Sequence, residues 1–506
     1  MSEVGTHDAR WRHIGVVRAA SVLLALALVT ATAPATLAVP ALTMGDINPG
    51  SDGSSAMWTA GVLGDQLLFG ANDGVHGYEL WATTATSSGA TFVKDIWPGS
   101  STDSSSPSQF IELNGYLYFT AEDGTHGVEL WRTNGTTAGT TLVKDVYPGG
   151  PNSVPNELTR VGNLLYFTAN DGVHGQEVWV TDGTAAGTTL AADLNVTAAD
   201  TGSDPAELYA FNNALWLRAD DGVNGAELWQ ISGSATTLFD LHPGPLSSYP
   251  AELYGFSDGN LYFRAYEPTN GTELYRTDGT EVPTLFWDIA AGNNDSSPSN
   301  FTEVNGKLFF VASTSSQGRE LWSTDGTTVD IAADIWIGFA SSNPNSLIAL
   351  GTTLYYAAEI AGDTELHRFN GTDDVLVGEI NSGGSSFLNS PVVVGDAIYV
   401  AGYDGASNGI ARIVSGSDAI SFFTAPGTNS FISCMCSPLL KVLRGRVYAP
   451  AFNDAVGMEY AYLDEPTYVL PETNRTESPW GAVLVLIAAL VASASVAWRR
   501  LEGAQQ

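Results

Sequence analysis

The 506 residues carry 55 acidic against 20 basic side chains, a formal charge of −35, with only four lysines (Lys94, Lys144, Lys307 and Lys441). That balance excludes a general electrostatic grip on nucleic acid, which needs a basic surface to neutralise phosphates. It also disfavours docking on an anionic membrane surface, and it suits calcium, a cationic partner or simple solubility.

The first segment is a targeting signal. Arg10, Arg12 and Arg18 precede the apolar run from Ala19 to Ala33, and small residues follow to Ala41. Residues 1–41 read as a secretory signal peptide, with an uncleaved anchor as the alternative.

The middle is one unit used about nine times. The Glu of a Glu-Leu-Trp element recurs at Glu79, Glu129, Glu177, Glu227, Glu273, Glu320 and Glu365, a period of about 47 residues. Two degenerate copies follow, from Asp396 and from Gly445. In the third unit four short strands are predicted, Glu157–Val161, Leu164–Ala169, Glu177–Thr181 and Thr188–Leu194. Gly162-Asn163, Asp171-Gly172 and Asp182-Gly183-Thr184 separate them, residues that tolerate positive φ and favour hairpins. Four antiparallel strands per repeat predict an all-β fold, a single large β-propeller of eight to nine four-stranded blades over residues 42–463. The segment from Leu42, "LTMGDINPG", matches a fourth strand, and the last unit lacks one. The N-terminal strand is therefore expected to close the ring and remove its exposed edges. An open superhelix is the competing arrangement.

Glu129-Leu130-Trp131-Arg132-Thr133-Asn134-Gly135-Thr136, and the closer copies at 177–184 and 320–327, resemble the extracellular repeat family named after the signature ELWxxDGT. The resemblance covers residues 42–380 well and 381–463 poorly. It implies a secreted, propeller-like array and no particular activity. Gly-x-Glu-Leu-Trp is also similar to repeats of pyrroloquinoline-quinone dehydrogenases. Those enzymes carry adjacent cysteines and a calcium-bound cofactor, whereas Met435 separates Cys434 from Cys436 here.

Strand order places two kinds of loop on one face: the Asp-Gly turns between second and third strands, and the links from one blade to the next. Asp73, Asp123, Asp171 and Asp221 fall in the first kind; Asp46, Asp95, Asp145, Asp193, Asp240, Asp288 and Asp334 precede the second. A circle of carboxylates with neighbouring carbonyls is what a hard cation binds. Asp73, Asp123, Asp171 and Asp221 are thus calcium candidates, against the alternative that Asp caps local amides in a turn. His76, His126 and His174 sit at equivalent turn positions on successive blades, too far apart to share a metal. Glu and Trp of Glu-Leu-Trp share a strand face and are expected to pack between blades, with a sugar platform as the alternative. No catalytic residue is assigned, because no Gly-x-Ser-x-Gly elbow, phosphate loop or His-Glu-x-x-His appears. The alternative is an extracellular propeller enzyme, of glycoside hydrolase or lyase type or a quinone-dependent dehydrogenase.

Two cysteines exclude a disulfide-built scaffold; Cys434 and Cys436 read as packed thiols, with a local bridge or metal pair as alternatives. Residues 464–479 form a Pro- and Glu-rich stalk. Trp480 to Trp498 is uncharged, ends in Trp on both sides and is followed by Arg499-Arg500. It is predicted to be a transmembrane helix, with 499–506 as a cytoplasmic tail and the bulk of the chain outside the cell. Leu470-Pro471-Glu472-Thr473 resembles the start of a sortase sorting signal, with Asn474 where the family has Gly. The whole reads as a cell-surface, single-pass protein displaying a non-enzymatic binding, adhesion or scaffold module. Its expected partners are extracellular glycans or proteins, with calcium as the one cofactor considered. A coat protein that self-associates laterally is a third class.

Overall fold

The computed structural model describes residues 43–56, 59–198, 200–417, 419–425, 431–432 and 440–464. The signal peptide, the stalk beyond Asp464, the membrane helix, the tail, the Leu470–Thr473 signal and the Cys434/Cys436 pair lie outside the described residues. Among the described residues there are strands and no helix.

Nine antiparallel sheets form a nine-bladed β-propeller. Blades 1 to 8 span 60–94, 108–144, 156–192, 206–239, 251–287, 299–333, 345–378 and 389–424, each a four-stranded meander in chain order. Blade 9 uses both ends of the described chain. Arg446–Asn453 and Gly457–Asp464 are its second and third strands, and Thr43–Met44 is its fourth. Thr43 pairs with Tyr462 and Met44 with Ala461, antiparallel. The innermost position is shared by Phe431–Ile432 and Lys441–Leu443.

The ring is closed by packing as well as by pairing. Leu67, Phe69 and Ala71 of blade 1 share one buried cluster with Leu443, Tyr448, Tyr460 and Tyr462 of blade 9. Every other junction repeats the scheme. Leu68, Leu80 and Val93 of blade 1 meet Phe119, Ala121 and Trp131 of blade 2. Alternation along each strand sends side chains to both faces of a blade, so each blade is apolar on both sides and is covered by its two neighbours. The Trp of Glu-Leu-Trp fills the wedge, as the sequence predicts.

Two details differ from the sequence reading. The fourth strand of blade 3 is Thr189–Ala192, shorter than Thr188–Leu194. Its ladder slips between Val178 and Trp179; the chain then leaves the sheet, and the amides of Leu194 and Asn195 turn to the Glu177 carboxylate. The innermost strands of blades 2 to 8 each carry a register shift after their first residue. There Gln109, Glu157, Glu207, Glu252, Asn300, Ser346 and Ser390 all have φ between 53° and 60°. None is glycine, so the repeat holds a left-handed bulge at the channel against its ordinary conformational cost.

Candidate functional site

The signature glutamate is a clamp inside the fold. Glu79, Glu129, Glu177, Glu227, Glu273, Glu320, Glu365 and Glu459 are all buried. Glu177 accepts from the amides of Leu194 and Asn195 at 3.2 Å each, and from the amide and hydroxyl of Ser203 at 2.8 and 2.6 Å. One carboxylate therefore ties a third strand to its own blade's exit loop and to the chain entering the next blade. The serine partners are Ser54, Ser105, Ser153, Ser203, Ser248, Ser296 and Ser342, at 2.5–2.7 Å, and Ser386 on Glu365. Sequence reasoning missed these serines, although each stands in a Ser-x-Pro or similar segment ahead of an innermost strand. Burial pushes all these glutamates above the ordinary carboxyl range, Glu129 to about 7, although the serine hydroxyls and backbone amides pull the other way. Glu459 clamps Ile47, Asn48 and Ser54, so the N-terminal strand enters blade 9 with the same chemistry. In blade 8, Gly409 stands at the glutamate's place and Ile410 at that of the leucine.

The calcium candidates each lie in their own turn on their own blade. Asp73 Oδ1 accepts from the amides of Val75 and His76 at 2.9 Å, and Oδ2 meets His76 Nδ1 at 2.7 Å. Asp123 and Asp171 repeat this with His126 and His174. Asp221 does it with Asn224, whose Nδ2 donates at 2.7 Å. Burial would raise these carboxyls, but the turn's hydrogen bonds outweigh it and hold all four below their ordinary value. The hydrogen bond to Asp raises each His. The structure therefore brings Asp and His together within a turn and does not bring the four aspartates together. Among the described residues no three His, Cys, Asp or Glu side chains converge as a metal cluster.

The second circle of aspartates is differently placed. Asp145, Asp288 and Asp334 use Oδ2 to accept the amide of the glycine four residues on, at 3.0, 3.3 and 3.4 Å. Among the described residues, Oδ1 of Asp95, Asp145, Asp240 and Asp334 is buried without a hydrogen-bond partner. These oxygens differ in this from those of Asp73 and its equivalents, which accept hydrogen bonds within their turns. Beside them the aromatic residue of the exit loop covers the next blade's turn. Trp97 lies over Gly124 and Tyr147 over Gly172, where an added Cβ would come within 2.4 and 2.5 Å. That close approach, with φ of 74° and 78°, is why Gly follows Asp there.

This face also exposes apolar side chains. Val75, Val173 and Val223 stand at turn tips, and Ile337 and Phe339 project from the link between blades 6 and 7 with 86% and 87% of their surface free.

No family model and no curated protein matches the chain. Solved structures similar to it include a prolyl endopeptidase, at 9% identity and a TM-score of 0.38, over 73% of this chain and 55% of that one. A puromycin hydrolase is similar at 12% identity and 0.37, over 68% and 58%. The β-propeller domain of the Trilobed protease from Pyrococcus furiosus is similar at 9% and 0.33, over 64% and 96%. The chain spans just over half the length of the first two.

Proposed function

We propose that this propeller is a non-enzymatic binding, adhesion or scaffold module held at the cell exterior, with an extracellular glycan or protein as its ligand. The observation that carries the reading is the pair Ile337 and Phe339, large apolar side chains left in solvent on the loop-bearing face. Apolar surface kept out of a core marks an interaction site. The signature carboxylates, in contrast, are spent on holding blades together. The resemblance to extracellular ELWxxDGT repeats supports the location, and the apolar stretch 480–498 would supply the anchor. A chain ending at Asp464 is then released to the medium.

The test is retention of the full-length protein on immobilised polysaccharides and on intact cells. Ile337→Ser with Phe339→Ser should reduce retention at least tenfold with an unchanged melting temperature; unchanged retention would sink the reading. Calcium belongs to the same proposal. The unpartnered Oδ1 atoms of Asp95, Asp145, Asp240 and Asp334 support it. A folded-state ligand raises stability by mass action, so a melt in calcium should exceed one in chelator at matched ionic strength. Equal melts would leave the aspartates as turn residues.

A further inference from the structure

Three consecutive blades bring an arginine to the channel end of an innermost strand. The second-strand residue opposite the first innermost residue is Thr120 in blade 2, Thr168 in blade 3, Val311 in blade 6, Ala357 in blade 7 and Ala401 in blade 8. In blades 4 and 5 it is Arg218, opposite Ala206, and Arg264, opposite Ala251. Arg319, at the start of blade 6's third strand, reaches the same level and donates to the Ser297 carbonyl and the Ser299 hydroxyl. These substitutions break the repeat at one place on the ring.

Arg218 and Arg264 border a cavity of about 510 Å³, lined also by Tyr249, Ala251, Tyr266 and Ser297, with Thr272 beside them. Arg218 Nη1 donates to the Pro250 carbonyl at 3.4 Å, a long bond that leaves most of its fork open. The Arg264 guanidinium has no hydrogen bond or ion pair among the described residues. Burial, and then the charge of Arg264, pulls the Arg319 guanidinium below its ordinary value, against Glu252. The nearby carboxylates are held elsewhere: Glu207 Oε2 accepts the Glu252 amide at 3.0 Å, and Glu252 Oε2 the Asn300 amide at 3.1 Å. In a chain with 55 acidic residues, these three neighbouring guanidiniums stand without a carboxylate partner among the described residues. A guanidinium fork matches the planar geometry of a carboxylate and accepts sulfate equally well. Two tyrosines flank it: Tyr249 is exposed, and the ring of Tyr266 meets His242 edge-on at 6.2 Å. Such rings give a flat apolar face with a hydroxyl at its rim, which suits a sugar ring.

We propose that this cavity binds an acidic sugar, its carboxylate or sulfate on Arg264 and Arg218 and its ring against Tyr249 and Tyr266. The inference deepens the binding reading above, and rests on it, by naming the ligand class.

The test is calorimetric titration of the full-length protein with three oligosaccharides of equal length: uronate-bearing, sulfated and neutral. At least one acidic sugar should bind at least tenfold tighter than the neutral one, and its affinity should fall with added salt. Preference between the two acidic arms tells carboxylate from sulfate. Arg264→Gln should weaken the acidic sugar about tenfold or more, and Arg264→Lys should restore part of the loss. Arg264 packs no ion pair, so both variants should melt like the parent. Equal affinity for the neutral sugar, or an unchanged Arg264→Gln titration, overturns the inference. Retention lost in the Ile337/Phe339 variant, with Arg264→Gln unchanged, overturns it while the binding reading stands.

Discussion

Replacing Glu177 by alanine tests whether the repeat's signature is structural. The substitution removes the acceptor of four donors: the amides of Leu194, Asn195 and Ser203, and the Ser203 hydroxyl. A buried donor left without an acceptor costs about 1–3 kcal/mol. Water entering the vacated space satisfies some of them, so the expected loss is about 3–5 kcal/mol, at the upper end for a single substitution. Glu177→Gln keeps the volume and one accepting oxygen but sets an amide N–H against the donors; its loss should be about 1–3 kcal/mol. Glu112→Ala is the control. Glu112 is half-buried, pairs with Arg160 at 3.3 Å and accepts the Gly115 amide at 2.8 Å in an exposed turn, contacts each worth about 1 kcal/mol or less. The assay is urea unfolding followed by tryptophan fluorescence. If Glu177→Ala unfolds at the same midpoint as Glu112→Ala, the clamp does not hold the blades together and the reasoning fails.

Stability should also rise on mild acidification. The buried glutamates titrate above their ordinary 4.5, Glu129 at about 7, so the folded chain holds protons that the unfolded chain has released. Their contribution grows as pH falls from about 7 to 4.5. His76, His126 and His174 act in the same sense, because raised histidines stabilise fully below 6.5 and lose that contribution as pH rises past it. Asp73, Asp123, Asp171 and Asp221 act oppositely, and their contribution is lost below 3.8. Melting temperature measured against pH should therefore peak between these limits; a steady fall from pH 7 downward would contradict it. Trp131→Ala empties the wedge between blades 1 and 2 and should cost about 3–5 kcal/mol in the same urea assay. Deleting residues 42–48 removes the fourth strand of blade 9 and the Ile47 and Asn48 amides from Glu459. It should expose a sheet edge and yield aggregates by size-exclusion chromatography, whereas a monomer melting like the parent would show that closure is dispensable.

Much of the fold was legible because each blade states its own turns. Asp-Gly and Asn-Gly between β-branched and aromatic runs mark the hairpins, and "LTMGDINPG" announces an orphan fourth strand. Blade count was harder to read, because blades 8 and 9 lose the motif: Gly409 replaces the glutamate, and Glu459 stands in Met-Glu-Tyr. The left-handed bulges left no composition signal. Gln, Glu, Asn and Ser all adopt the same φ, and in blades 4 to 6 a carboxylate from the blade before, Glu157, Glu207 or Glu252, holds an amide of the bulge. The aspartates were legible as turn residues, while which oxygen stays unpaired depends on the exit loop's path.

The ring also separates what stabilises from what can discriminate. An interaction repeated in eight blades, such as Glu with Ser, presents the same chemistry in every direction and sits in the interior. It cannot single out one ligand at one place. A propeller's selectivity must therefore come from positions where one blade departs from its neighbours. Arg218 and Arg264 depart from Thr, Val and Ala at one register level, Ile337 departs from the Pro of earlier exit loops, and Phe339 from Ser100, Gly150 and Pro245 after their Gly. These departures fall in blades 4 to 6 and the link that follows, on the loop-bearing face. A carboxylate-rich shell elsewhere repels anions, so a cluster of guanidiniums without carboxylate partners is where, under the proposal above, an acidic ligand gains both charge and shape complementarity.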